Sequence, residues 1–378
     1  MRYLTPFLIK DLSKKMVFLG GPRQSGKTTL MQNILESHYH QSGRYLTWDD
    51  DDDKKAMLNK IWPDSEKLII FNEIHKYTKW KNLIKGIFDK QKKLHHFAVT
   101  GSARLDVFKR GGDSLLGRYH YWRLHPFDLS EAPSSMSKKT ALSRLMQVGG
   151  FPEPFLDGDE REAARWRKER LSKIVKEDIR DTEKIQEINS MSLFLELLRG
   201  RVQGEVVFSN LAQDLHISEK TLIRWLTILE KMYVLFSIRP LTTNVARAIQ
   251  KRPKIYFYDN ADAIGDEGVR LENLIATHLL KRLHFLEDYT GDSYELCYLR
   301  DKEKREVDFA IIKNKKLMTL IEVKLSDEKV SKNLLYFANQ LKPKECVQIV
   351  LNLKRPFNSG NVLVTDPIHY FNSFIPWN

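Results

Sequence analysis

The chain is 378 residues long, with 42% hydrophobic and 29% charged residues and no low-complexity tract, so several folded domains are expected rather than one core or a disordered chain. Its 2 cysteines exclude a disulfide scaffold and a Cys-rich zinc site, and no stretch approaches the ~20 apolar residues of a membrane span. A formal charge of +13 favours polyanionic partners such as nucleic acid without requiring one, and the absence of a leader pattern at the N-terminus points to a cytoplasmic protein.

The first predicted strand is the apolar run KMVFLG (residues 15–20), and TTLMQNIL (28–35) has helical periodicity. Between them, Gly21-Pro22-Arg23-Gln24-Ser25-Gly26-Lys27-Thr28 fits the phosphate-cradling loop G-x-x-x-x-G-K-T. Its glycines let backbone N–H groups wrap phosphates, and the helix start, where Thr29 follows, adds partial positive charge. Lys27 is expected on the β/γ-phosphates and Thr28 on Mg²⁺, with Arg23, Gln24 and Ser25 at the variable positions, which makes ATP and Mg²⁺ the expected ligands. The acids Asp49 to Asp53 follow a strand-like segment and read as a solvated loop and helix start rather than a metal site.

A second apolar strand, residues 67–71, runs into Asn72-Glu73-Ile74-His75, the position of a Walker B segment. Glu73 is expected to polarise the attacking water. Asn72 stands where an acid usually holds Mg²⁺ through water, and it brings no charge, so slow hydrolysis is expected. The third strand, residues 96–100, ends in Thr100-Gly101-Ser102, where Thr100 and Ser102 are assigned to sensing the γ-phosphate or water; plain turn chemistry is the alternative. Arg118 and Arg123 follow, each either an arginine finger toward a neighbour's nucleotide or a surface ion-pair partner. A finger requires a second copy of the chain, which admits a homo-oligomer.

The polar stretch PSSMSKK (133–139) closes a first domain, 1–132, and opens a helical linker or lid, 140–204. Within it, residues 161–180 form a strongly basic helix, read as a solvated face. Residues 205–258 read as a winged helix: two helices around a turn capped by Ser218, then strands near 233–239 and 254–258. Lys220 and Arg224 on the second helix are the candidates for DNA contact, although Leu222, Trp225 and Leu226 make much of that helix core and leave a protein-contact role open.

In the last segment, 259–378, a helix carries Glu272 near its start. Residues 306–312 alternate so that Glu306 and Asp308 share a face, and residues 320–324 place Glu322 and Lys324 together, with 313–316 as the hairpin turn. Helix Glu, strand Asp, then Glu-x-Lys is the arrangement of the PD-(D/E)xK nuclease fold. There Asp308 and Glu322 would be Mg²⁺ ligands, Lys324 would stabilise developing negative charge, and Glu272 would be an auxiliary ligand or base. An exposed Glu-x-Lys pair across a sheet is the structural alternative.

The ordered set Gly21 to Thr29, Asn72-Glu-Ile-His, Thr100-Gly-Ser, Gly117-Arg118, His125-Pro-Phe, Gly149-Gly-Phe-Pro-Glu, Asp259, Leu271-Glu-Asn, Glu306-Val-Asp-Phe and Ile321-Glu-Val-Lys resembles a large bacterial and archaeal family of uncharacterised AAA-type ATPases. In that family the P-loop domain precedes a domain of unknown function related to PD-(D/E)xK nucleases. The resemblance spans nearly the whole chain and implies an α/β protein: a parallel-sheet AAA-like ATPase domain, a helical linker with a winged helix, and a mixed α/β nuclease-like domain. The family expects aspartate at Asn72 and a second serine at Ala103. The expected function is an ATP-binding, DNA-associated AAA-type ATPase whose nucleotide state controls the C-terminal module. A non-cleaving nucleotide switch or interaction platform, and a DNA-binding regulator, are the alternatives.

Overall fold

Five short segments build the first sheet: β1 (Met16–Gly20), β2 (Gly43–Thr47), β3 (Leu68–Asn72), β4 (His96–Thr100) and β5 (Tyr119–Arg123). The computed structural model describes residues 2–101, 115–179, 187–241, 252–326 and 329–373. The strands run parallel in the order β2-β3-β4-β1-β5. β1 is buried along its whole length, and β3 and β4 along all but one residue, as apolar runs covered on both faces must be. Phe18, Leu46, Ile69, Phe71, Ile84, Phe88 and Phe97 share one core with Trp62 and Trp80. Because parallel strands end at the same edge, this order brings the segments after β1, β3 and β4 side by side, with Thr100 in register with both Leu19 and Asn72.

The chain divides into two compact units, one of Met1–Pro126 with Lys231–Tyr233 and one of Phe127–Glu230 with Val234–Asn378. The second opens with helices, among them Lys138–Gln147, Glu160–Lys173 and Ile188–Arg199, and closes on a mixed sheet of eight strands. These are β6 (Leu235–Pro240), β7 (Lys254–Phe257), β8 (Tyr294–Arg300), β9 (Glu306–Lys313), β10 (Lys316–Lys324), β11 (Glu345–Val350), β12 (Phe357–Ser359) and β13 (Val362–Thr365), in the order β12-β13-β11-β10-β9-β8-β6-β7. The helix Glu267–Thr290 leads into the antiparallel run β8-β9-β10, and the helix Lys332–Leu341 connects β10 to parallel β11. Asn314 and Lys315, both at positive φ (47 and 65°), form the tight turn between β9 and β10.

Helices Phe208–Leu215 and Glu219–Lys231 flank a turn in which His216 is left-handed and Ser218 Oγ accepts the Thr221 N–H at 3.1 Å. The antiparallel pair β6 and β7 follows. β6 also pairs with β8 through Arg239 and Pro240, so the hairpin expected in 205–258 and the strands expected in 259–378 form one sheet.

The basic helix is the expected solvated face at Arg161, Arg165, Lys168, Lys173 and Lys176, which are exposed, but not at two positions. Arg167 and Arg170 turn inward, where Arg170 Nη2 lies 2.9 Å from Asp262 Oδ2 and Arg167 Nε 3.3 Å from Asp259 Oδ2, all four side chains being largely or wholly buried. Burial, reinforced by the neighbouring Asp259, pushes the Asp262 carboxyl up to about 6. Gly149 sits against this network at φ +84°, where any Cβ would meet Asp259 Oδ1 at 1.9 Å. Arg180 lies outside the described residues.

Candidate functional site

Residues 20–28 form a loop that no ordinary side chain pattern would permit. Gly21 (φ 130°), Gln24 (φ 62°) and Gly26 (φ 89°) all take left-handed or Gly-favoured backbone, and a Cβ on Gly21 would meet the Leu124 carbonyl oxygen at 2.3 Å. Gly26 starts the helix Lys27–Ser37 without any side-chain cap, leaving its first N–H groups for an anion. Lys27, 8% exposed, donates to the Gly21 and Pro22 carbonyls at 3.1 and 2.6 Å. The wholly buried Ser25 hydroxyl makes no hydrogen bond among the described residues. Thr28 and Thr29 are exposed at the helix start, Gln24 is exposed in the loop, Arg23 is half-buried and Pro22 is buried. This is a cradle of donors suited to phosphate groups, with the exposed Thr28 hydroxyl at the helix start beside it.

Beside it, the end of β3 is held in an unusual way. The Asn72 amide oxygen accepts from Thr100 Oγ1 at 2.8 Å, and its nitrogen donates to Thr47 Oγ1 at 3.3 Å, so one neutral side chain ties β2, β3 and β4 together. Glu73 follows in left-handed backbone (φ 54°), its N–H fixed to the Thr100 carbonyl at 2.9 Å and its carboxylate 3.4 Å from His75 Nε2. A non-Gly residue held there stores strain of roughly 1–3 kcal/mol, a common mark of a functional position. Thr100, completely buried, therefore serves first as a hydrogen-bond donor to Asn72. Ser102 lies outside the described residues.

Three contributors were not visible in the sequence. Arg2 donates to the Ser25 carbonyl at 2.8 Å and also to the His125 carbonyl, pinning the loop from the N-terminus. Tyr45 on β2 reaches Thr28 Oγ1 at 3.4 Å, and its hydroxyl pKa is raised by burial and by the Glu73, Asp49 and Asp53 charges. Thr47 is the third. Asp50 caps the helix Asp51–Asn59 through the Asp52 and Asp53 N–H groups, in keeping with the helix-start reading.

The two arginines fall at opposite ends of β5. Arg118 precedes the strand, next to Met16 at the start of β1, and pairs bidentately with Asp89 at 2.8 and 3.0 Å. That end is about 13 Å from the loop along β1, and the Asp89 pair is the surface ion pairing expected as one of the two alternatives for Arg118. Arg123 is in register with Gly20, at the loop end.

In the second unit, Glu272, Asp308, Glu322 and Lys324 come into one neighbourhood, joined by Glu306 and by two residues the sequence did not single out, Lys254 and Tyr256. Tyr256 donates to Glu272 Oε1 at 2.7 Å, Asp308 Oδ2 accepts the Val323 N–H at 2.8 Å, and Lys324 Nζ lies 2.8 Å from Glu322 Oε1. Burial, then the Asp308 charge, pushes the Glu272 carboxyl up to about 8 and the Glu322 carboxyl up to about 7; burial also raises Asp308. These residues do not fit the expected Mg²⁺ site. Among the described residues no three His, Cys, Asp or Glu side chains group so as to hold a metal ion. Tyr256, the Val323 N–H and Lys324 each take one oxygen of Glu272, Asp308 and Glu322 respectively.

Lys220, Ile223, Arg224 and Thr227 share the exposed face of the helix Glu219–Lys231, opposite the buried Leu222, Trp225, Leu226 and Leu229. A separate open cleft in this unit, about 1150 Å³, is lined by Lys138, Lys139, Arg270 and Lys354 as well as Glu267 and Asp366. It adjoins the end of β10, where the Leu351 N–H donates to the Lys324 carbonyl at 3.0 Å. No helix among the described residues is long and apolar enough to cross a membrane.

Residues 13–132 match the model of the AAA domain, and residues 139–263 and 267–368 match those of two domains of unknown function, DUF8612 and DUF4143. An uncharacterized protein of Methanocaldococcus jannaschii is 23% identical over 343 residues, 82% of this chain and 75% of that protein. One of Mycobacterium tuberculosis is 24% identical over 249 residues, 65% of this chain and 54% of that protein, so the chain spans about half the length of the mycobacterial relative. Among solved structures, the Thermotoga maritima RuvB Holliday junction branch migration motor matches 63% of this chain and 87% of its own at 18% identity and a TM-score of 0.30. The matched model and the parallel sheet with its phosphate loop make residues 13–132 an AAA-type P-loop ATPase domain in fold.

Proposed function

We propose that this chain, with its AAA-type P-loop domain, binds Mg-ATP, hydrolyses it slowly, and uses the nucleotide state to control a DNA-directed second unit. The observation that carries the reading is the Asn72 amide bridging Thr47 and Thr100 beside a strained Glu73. The cradle for phosphates is complete, whereas the residue that would hold hydrated Mg²⁺ is neutral and already accepts a hydrogen bond. Glu73 orients the attacking water and takes its proton. The Lys27 ammonium and the helix start hold the phosphates in place. Steady-state phosphate release tests this: Asn72→Asp raises turnover about tenfold, a barrier change of ~1.4 kcal/mol, and Glu73→Gln abolishes turnover, both with ATP affinity kept. Wild-type turnover in the Glu73→Gln protein would remove Glu73 from catalysis.

The DNA partner draws support from the +13 charge, from the exposed Lys220–Arg224 face behind a helix-turn-helix, and from the basic cleft. Duplex DNA affinity should fall steeply with salt, and the double reversal Lys220→Glu/Arg224→Glu should weaken it and cut the salt slope by about two. Salt-insensitive binding, unchanged by the reversals, would favour an interaction platform instead. A nuclease-like fold for the C-terminal segment is supported by its order of helix, three antiparallel strands, helix and parallel strand, and by Glu272, Asp308, Glu322 and Lys324 meeting at one place. Metal-dependent cleavage gains no such support.

A further inference from the structure

We infer that the Lys254 ammonium is the resident cation of the C-terminal carboxylate cluster, standing where a nuclease-like site would hold a divalent metal, so that this module takes no metal ion. The inference rests on the nuclease-like reading of the fold and deepens it.

Four carboxylates, Glu272, Glu306, Asp308 and Glu322, act on one another in this cluster. Such a concentration of buried negative charge requires a counter-cation, because an unpaired buried charge is strongly unfavourable. Lys254 supplies it. The side chain is 2% exposed, and Nζ lies 2.5 Å from Glu306 Oε1 and 3.9 Å from Glu272 Oε1, with the Tyr298 ring centroid 5.2 Å away. Burial alone would lower the Lys254 pKa, but Glu272, Asp308 and Glu306 more than offset that and raise it, keeping the charge on the lysine. Its backbone is fixed, since Lys254 pairs with Ile238 of β6 and makes an isolated bridge to Glu205.

Other side chains of the cluster also serve the carboxylates. Tyr256, two residues along and therefore on the same face of β7, takes Glu272 Oε1. Arg300 takes Glu306 Oε2 at 3.1 Å, and Lys324 takes Glu322 Oε1. Mg²⁺ demands near-octahedral oxygens at about 2.0–2.1 Å, and an ammonium hydrogen-bonded to Glu306, 3.9 Å from Glu272 and acted on by the Asp308 charge opposes it by both bulk and charge. Among the described residues, Glu322 Oε2 is buried without a hydrogen bond, so one acceptor of the cluster is left over after Lys324 has taken Oε1.

The test titrates Mn²⁺ into the nucleotide-free full chain by calorimetry, comparing wild type, Asp308→Asn, Lys254→Met and the double variant. The wild type and Asp308→Asn should give the same heats, with no site that depends on Asp308. Lys254→Met should gain one saturable site, at least tenfold tighter than any in the wild type, and lose it again with Asp308→Asn. An Asp308-dependent Mn²⁺ site in the wild type overturns the inference but leaves the nuclease-like reading standing; this comparison needs no Lys254 variant to fold. A folded Lys254→Met protein that gains no site counts against both.

Discussion

Replacing Lys27 by alanine lowers ATP affinity by about a hundredfold, as read by calorimetric titration of the purified chain. Lys27 is the one cation buried in the phosphate loop, donating to the Gly21 and Pro22 carbonyls. With nucleotide bound, those donors turn to phosphate oxygens, and charge-assisted bonds of roughly 1.5–3 kcal/mol are lost on truncation, which is one to two powers of ten in affinity. The same variant without nucleotide should melt lower as well, because the buried Gly21 and Pro22 carbonyls lose that donor. Unchanged affinity would take residues 21–28 out of nucleotide binding.

Asp128→Ala should destabilise the second unit by about 3–5 kcal/mol, roughly 10 °C in its melting transition. Asp128 is 1% exposed, with its Oδ1 accepting from the Ser130 N–H and hydroxyl at 2.9 and 2.5 Å and facing Lys281 Nζ at 3.5 Å; Arg282 lies 3.7 Å from Oδ2. Lys281 also pairs with Glu131, and His278 Nε2 accepts the Leu129 N–H at 3.1 Å. Burial opposes the Asp128 charge, yet Lys281, Arg282 and His278 overcome it and hold the carboxyl well below its usual range; burial likewise pulls His278 down to about 3, keeping it neutral as the acceptor. Alanine leaves two buried cations without this partner while keeping their bulk in place. Thermal unfolding followed by circular dichroism checks the expectation, and a shift of only 1–2 °C would show that the cluster is hydrated rather than dry.

Much of the nucleotide site was legible because its conformation is local. Glycines at 21 and 26, the lysine and threonine after them, and an apolar strand before them specify a left-handed loop and a helix start without help from the rest of the chain. The Asp50 cap and the 314–315 turn were legible for the same reason. Arg2, Tyr45 and Thr47 were not, since they reach the loop and Asn72 only through strand order, and nothing in their own neighbourhoods marks them. Spacing left Arg118 open between two roles because it fixes a residue's place along the chain, not the end of the sheet on which it falls. Likewise, Glu272, Asp308, Glu322 and Lys324 were found by pattern, whereas Lys254 belongs to a hairpin whose strand β6 joins the same sheet. That lysine adds a buried cation to a cluster read from sequence as carboxylates and Lys324 alone. Arg167 and Arg170 show the converse: a run of cations read as solvated because their buried partners, Asp259 and Asp262, lie some ninety residues away.

Slow turnover at a complete phosphate cradle is most directly examined by loading the wild type with labelled ATP and Mg²⁺, removing the excess, and following which nucleotide stays bound. The Asn72 bridge predicts ATP retained on the chain and converted to ADP about tenfold more slowly than in Asn72→Asp, with no conversion in Glu73→Gln. Rapid conversion in the wild type at the Asn72→Asp rate, or a chain that retains no nucleotide at all, would contradict it.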